Sequence, residues 1–159
     1  MTLFPSRKNL YLIILLFSLI SILSALYIEF ILGYKPCKLC IYQRLPYLAA
    51  LFVSFIGLYY FKNENILIIL IIIFTISALI SGYHFGIESS FFEEFSSCTN
   101  NQLNLSDKAK LLESLSKNMP VDCKDATFTI LGVSLAAINT LLSILITIIS
   151  IRTLSYEKN

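Results

Sequence analysis

Four long runs of this sequence carry almost no charge, and that pattern dictates a bilayer as the solvent in which the chain folds. Leu10–Leu32 has Glu29 as its only charged residue, and Ile41–Phe61 has only Arg44, preceded by Gln43. Ile66–Phe85 carries one titratable ring, His84, and Phe128–Ile151 carries no charge at all. Each is close to the roughly 20 apolar residues needed to cross the hydrocarbon core. The 159 residues are 57% hydrophobic, with a mean hydropathy of +0.78. A soluble domain of this size has too little interior to hide so much apolar surface. The first run is too long for a signal-peptide core and no small-x-small cleavage site follows it, so it reads as a membrane helix. The expectation is an all-α membrane protein: one integral domain over 1–159, with spans at about 10–32, 41–61, 66–85 and 128–151. Its cysteine-bearing loops fall at about 33–40 and 86–127.

Basic residues set the orientation. Arg7, Lys8, Lys62, Arg152 and Lys158 crowd the tails and the short second loop. Lys35, Lys38, Lys108, Lys110, Lys117 and Lys124 are spread along the first and third loops. The positive-inside rule therefore puts both termini in the cytoplasm. The net charge of +2 comes with no basic patch of the kind that binds nucleic acid. With no tryptophan present, Tyr11, Tyr27, Tyr34, Tyr42, Tyr59, Tyr60 and Tyr83 are expected to form the interfacial belt.

The cysteines say more. In a four-span chain the first and third loops share one side of the membrane. All four cysteines lie in or beside those loops: Cys37 and Cys40 in the first, Cys98 and Cys123 in the third. If the termini are cytoplasmic, every thiol faces a compartment where disulfides persist. Between Cys98 and Cys123, "LSDKAKLLESLSKNMP" has apolar residues at helical spacing. Ser106 is the expected N-cap and Pro120 the stop, which predicts a short amphipathic helix resting on the membrane or on the bundle. The flanking "SSCTNNQ" and "VDCKD" are polar and expected to be mobile.

"KPCKLCIYQR", Lys35–Arg44, places a Cys-x-x-Cys at the start of a span. Helix N-termini favour the thiolate. Arg44, one turn beyond Cys40, would lower the thiolate pKa further and offers a fork of donors to a carbonyl oxygen. The alternatives are a snorkelling arginine, a plain structural disulfide or a zinc half-site. Zinc is disfavoured because Cys98 and Cys123 are poorly spaced and His84 stands alone, so no metal is expected. A disulfide closing so small a loop adds little stability and is usually redox-active. No nucleotide-binding glycine pattern appears, so the acceptor expected for the electrons is a lipid-soluble quinone meeting Cys40. Glu29 and Glu88 read as solvated interfacial carboxylates, Phe128 as lipid-facing, and Asn139 as an interhelical hydrogen-bonding residue.

"PCKLCIYQR" closely resembles the motif of the bacterial disulfide bond formation protein B family (DsbB). "GYHFGIE" (Gly82–Glu88) and "FTILGVSLAAIN" after Cys123 are similar to the family too, although Ile138 stands where the family often has tryptophan. The resemblance implies an inner-membrane enzyme, a quinone-dependent dithiol oxidase that reoxidises a periplasmic DsbA-like thioredoxin-fold oxidase. It sustains disulfide formation in exported proteins and passes electrons to ubiquinone or menaquinone. The cysteines would face the periplasm. It implies Cys37–Cys40 and Cys98–Cys123 as the disulfides, with an interloop Cys37–Cys123 bond as intermediate. Cys98 would receive the partner, Cys40 would donate to quinone, Arg44 would hold the ring oxygen, and His84 would lie beside it. A disulfide-stapled scaffold without turnover is the competing class. A vitamin K epoxide reductase-type enzyme is disfavoured, because there the loop cysteines precede the Cys-x-x-Cys.

Overall fold

A computed structural model describes residues 6–92, 123, 129–130 and 132–158. The amphipathic helix expected between Cys98 and Cys123, as well as Cys98 and Phe128, lie outside the described residues. Among the described residues four helices form: α1 (Arg7–Phe30), α2 (Lys38–Tyr59), α3 (Glu64–Glu88) and α4 (Leu135–Lys158). All are long and apolar enough to span a membrane, as the four charge-free runs require. With no water in the hydrocarbon to satisfy peptide groups, a run of this composition closes its hydrogen bonds within itself.

Helix ends follow local chemistry. Ser6 caps α1, its hydroxyl accepting from the Asn9 N–H, and Asn63 caps α3 by accepting from the Asn65 N–H. The fourth helix departs from expectation, beginning at Leu135 rather than at Phe128. Gly132 sits at φ +81°, a left-handed conformation that interrupts any helix there. Around it, β1 (Thr129–Ile130) and β2 (Val133–Ser134) pair antiparallel, with Ile130 opposite Val133. Ser134 then caps α4, its Oγ accepting from the Ala137 N–H at 3.2 Å.

Each of α1, α2 and α3 packs along its successor, whereas α1 and α4 touch only sparsely. The apolar core joins Leu10, Tyr11 and Ile14 of α1 to Tyr47 and Ala50 of α2 and to Leu67, Leu70 and Phe74 of α3. Elsewhere the seams are built from small residues. Ser18, Ser54, Ser77, Ser81 and Ser143 are fully buried, which lets helices approach closely where lipid offers no hydrophobic driving force. Asn139 does what was expected of it: Tyr47 donates its hydroxyl to Asn139 Oδ1, and Ser143 Oγ donates to the same oxygen at 3.3 Å. Ser143 also meets Ser77 at 3.1 Å, so a polar thread links α2, α3 and α4. At the opposite end of the bundle from Cys37, Arg7 donates to the Lys62 carbonyl and pairs with Glu64, tying α1 to the α2–α3 turn.

Tyr11 is not an interfacial anchor. It is fully buried, and its ring lies where Gly57 leaves room. A Cβ at position 57 would meet that ring at 2.8–3.0 Å. Gly57→Ala gains about 1 kcal/mol of helix propensity but overpacks a ring with nowhere to move, at a cost of about 1–3 kcal/mol. The expected result is a lower thermal midpoint in detergent; Tyr11→Leu in the same chain should restore most of it.

Candidate functional site

Cys37 is the N-cap of α2, so the helix begins with the motif rather than after it. Its backbone is extended, and its sulfur accepts the Cys40 N–H at 3.2 Å. Lys38 and Leu39 complete a single turn that returns Cys40 beneath Cys37. The two sulfurs stand 2.9 Å apart as a hydrogen-bonded dithiol, the reduced counterpart of the expected Cys37–Cys40 disulfide. Cys37 is buried and Cys40 is half-buried.

The last turns of α3 close over this pair. His84 Nε2 lies 3.6 Å from Cys37 Sγ, and its Nδ1 lies 2.9 Å from the side-chain amide of Gln43. Gln43, three residues beyond Cys40, therefore orients the ring that faces Cys37. Glu88, one turn beyond His84, places Oε1 3.5 Å from His84 Nε2. Its side chain is only 10% exposed, so the expectation of a solvated interfacial carboxylate fails for Glu88. Cys123 is buried against Cys37 and Ile87, although its polar sequence neighbours had pointed to mobility. The structure thus brings Cys37, Cys40, Cys123 and His84 to one end of the bundle.

Arg44 faces the same region, but its charge is already engaged: Nη1 pairs with Glu29 Oε2 of α1. Both side chains are about three-quarters buried, which overturns the reading of Glu29 as merely solvated. Composition could not reveal this pair, since Glu29 is simply the one acid in its span. Arg44 and Cys40 both line a cavity of about 290 Å³, opened where α1 and α4 diverge. Its walls are mostly apolar, including Phe17, Ile28, Ile138 and Leu142, and its polar end gathers Arg44, Gln43, His84 and Glu88. Ile138, the position where the sequence departs from the resembled family, is a wall residue.

Hydrogen bonding to the Cys40 sulfur, followed by burial, pushes the Cys37 thiol up from its ordinary 9.0 to about 12. Its contacts with His84 and the Cys40 N–H pull the other way without prevailing. Cys37 therefore holds its proton and Cys40 is the sulfur that accepts it. A thiol with a raised folded-state pKa stabilises the fold fully below its unfolded value. That contribution is lost as pH climbs from about 9 to about 12.

A dithiol heading a membrane helix, with a second buried cysteine at its back and an apolar cavity at its front, defines a membrane protein of thiol redox chemistry. The family model of disulfide bond formation protein DsbB matches residues 7–153, and the chain belongs to that family. Membership makes it a multi-pass inner-membrane oxidoreductase acting on thiols. An uncharacterized protein of Rickettsia prowazekii (strain Madrid E), RP370, is 28% identical over 156 residues, covering 96% of this chain and 90% of the relative.

Removing the sulfur that holds Cys37's proton should bring its titration down. In reduced Cys40→Ser protein with Cys98 and Cys123 replaced by serine, alkylation of Cys37 against pH is expected to reach half-maximal rate well below pH 12. With Cys40 present, the same residue should require pH near 12. Identical profiles would show that burial alone sets the value.

Proposed function

We propose that the protein is a quinone-linked dithiol oxidase that reoxidises a periplasmic DsbA-like thioredoxin-fold partner. The observation that carries this reading is the two-sided position of the first cysteine pair: Cys37 packs against Cys123, while Cys40 lines the cavity between α1 and α4. Thiol exchange needs direct contact between sulfurs, and electron delivery to a lipid-soluble acceptor needs an opening toward the bilayer. One pair serves both only from such a position.

The residues fit a quinone. An apolar wall suits a ring and isoprenoid tail, and polar groups at one end suit a carbonyl oxygen. Ubiquinone or menaquinone, when bound, supplies the two-electron acceptor. Arg44, with part of its guanidinium held by Glu29, is oriented to donate to a ring oxygen, and His84 lines the same polar end. Cys40 is the sulfur placed to deliver electrons.

In the relay, a thiolate of the reduced partner attacks Cys98 in the Cys98–Cys123 disulfide and displaces the Cys123 thiolate. Cys123 attacks Cys37 in the Cys37–Cys40 disulfide, forming Cys37–Cys123 and releasing Cys40 as a thiolate with its electron pair. The partner's second thiol then resolves the mixed disulfide and leaves oxidised. These exchanges conserve the number of sulfur–sulfur bonds and leave Cys98 and Cys40 reduced. Cys98 then attacks Cys123, re-forming Cys98–Cys123 and releasing Cys37, and closure of the Cys37–Cys40 dithiol to its disulfide gives up the two electrons and two protons that the acceptor would take. Both termini lie in the cytoplasm and the cysteines face the periplasm, which fits the crowding of basic residues in the tails and second loop.

Mixing purified protein, quinone and a reduced DsbA-like partner tests the reading, with quinone absorbance followed over time. Quinone reduction that disappears in Cys40→Ser and in Cys123→Ser is expected. No reduction by the wild type with all four cysteines competent would reject it. Arg44→Ala should raise KM for quinone at least about tenfold, the scale of losing a charge-assisted hydrogen bond of 1.5–3 kcal/mol, with little change in KM for the partner. An equal rise in both would make Arg44 a structural residue.

A further inference from the structure

His84 looked solitary in sequence, and that was the reason to set zinc aside. In three dimensions it completes a donor set: Cys37 Sγ, Cys40 Sγ and a His84 ring nitrogen all lie within 4.8 Å of one another. We propose that the reduced Cys37–Cys40 pair and His84 form a binding site for a thiophilic divalent cation, zinc above all, which the oxidised protein cannot form.

The geometry supports a tetrahedral ion. With Zn–S about 2.3 Å and Zn–N about 2.0 Å, tetrahedral donors stand about 3.8 Å apart for sulfur–sulfur and about 3.5 Å for sulfur–nitrogen. Cys37 Sγ and His84 Nε2 are already 3.6 Å apart. The two sulfurs, at 2.9 Å, need to open by roughly 0.9 Å to meet the zinc value, a small χ1 adjustment for half-buried Cys40. Two outer partners stand beside the site as well. The Cys40 N–H donates to Cys37 Sγ at 3.2 Å, a bond that supports a thiolate ligand. Gln43 Nε2 sits 2.9 Å from His84 Nδ1; with the ring Nε2 on the metal, Nδ1 carries the proton, and a half-turn of the Gln43 amide brings its carbonyl oxygen round to accept it, the outer-shell partner that ligating histidines require.

Glu88 provides an independent sign. Its Oε1 is 3.5 Å from His84 Nε2, its side chain is nine-tenths buried, and its Oε2 has no hydrogen-bond partner among the described residues. Glu88 stands beside the three-residue donor set, where its charge favours a cation, and water fills the fourth coordination position. The binding step balances without electron transfer: two thiols release two protons as the thiolates ligate zinc. A Cys37–Cys40 disulfide offers no thiolate, so metal and oxidation compete for the same sulfurs. By linkage, zinc then holds the pair reduced. That consequence for turnover rests on the quinone-linked reading above, whereas the binding itself does not.

The test uses full-length protein in nanodiscs with Cys98→Ser and Cys123→Ser, so that only the first pair can ligate. Zinc is titrated against a chromophoric chelator, and cobalt(II) serves as the optical probe. Reduced protein is expected to bind one equivalent and to give thiolate-to-cobalt charge-transfer and tetrahedral d–d bands; oxidised protein is expected to do neither. His84→Ala should weaken zinc at least about tenfold, and His84→Cys, which replaces one soft donor with another, should restore it even if the alanine variant folds poorly. No binding by the reduced form, equal binding by the oxidised form, or undiminished binding by folded His84→Ala would each overturn the site. Wild-type turnover is measured separately with zinc removed. Failure there would reject the quinone reading and leave the zinc result standing. Normal zinc-free turnover with no zinc uptake would reject this inference alone.

Discussion

The contact between the head of α2 and the last turns of α3 is the joint on which the cysteine-bearing end of the bundle depends. Cys37 caps α2, and His84 reaches it from α3 at 3.6 Å while Gln43 of α2 holds the other side of the ring. This places a dithiol, an imidazole and a buried carboxylate in one small volume. The polar thread through Tyr47, Asn139, Ser143 and Ser77 keeps α2, α3 and α4 in register below it. In lipid such interhelical hydrogen bonds contribute only about 0.6 to 2 kcal/mol each, so their main consequence is to fix which faces meet.

A second consequence is the cavity. Because α3 and α4 pack closely while α1 and α4 barely touch, an opening remains on the side of Cys40. The Arg44–Glu29 pair crosses it from α2 to α1. A lone guanidinium at that depth would be expensive, and pairing it offsets much of the desolvation. The same pairing orients the donors that remain. Structure and chemistry agree here in a specific way: Cys40 lines the cavity with Arg44, and Cys37, buried in one cluster with Cys123, keeps its proton.

Much of this was legible in the sequence. Bilayer thickness and charge-free runs determined the four spans, loop parity put Cys123 at the same end as Cys37 and Cys40, and helical spacing put Arg44 a turn from Cys40. What escaped is what depends on rotation about helix axes. A helix that is apolar on all sides has no stripe to say which face turns inward. For that reason Tyr11 read as a belt residue and lies in the core, Glu29 gave no sign of its partner, and His84 seemed alone. The start of α4 was missed for a different reason. Gly132 sits inside an apolar run, where hydropathy is blind to a left-handed φ and a two-residue ladder.

The central claim is that Cys37 and Cys40 together are the electron-delivering pair, working at the lipid-side cavity without help from the third loop. A single-turnover measurement tests it most directly. Reduced protein retaining only Cys37 and Cys40, in nanodiscs and free of metal, is mixed rapidly with a short-chain ubiquinone while quinone absorbance and protein mass are followed. One quinol formed per protein, with loss of two hydrogen atoms from the chain, is the predicted result. A quinone left unreduced until Cys98 and Cys123 are restored would contradict it.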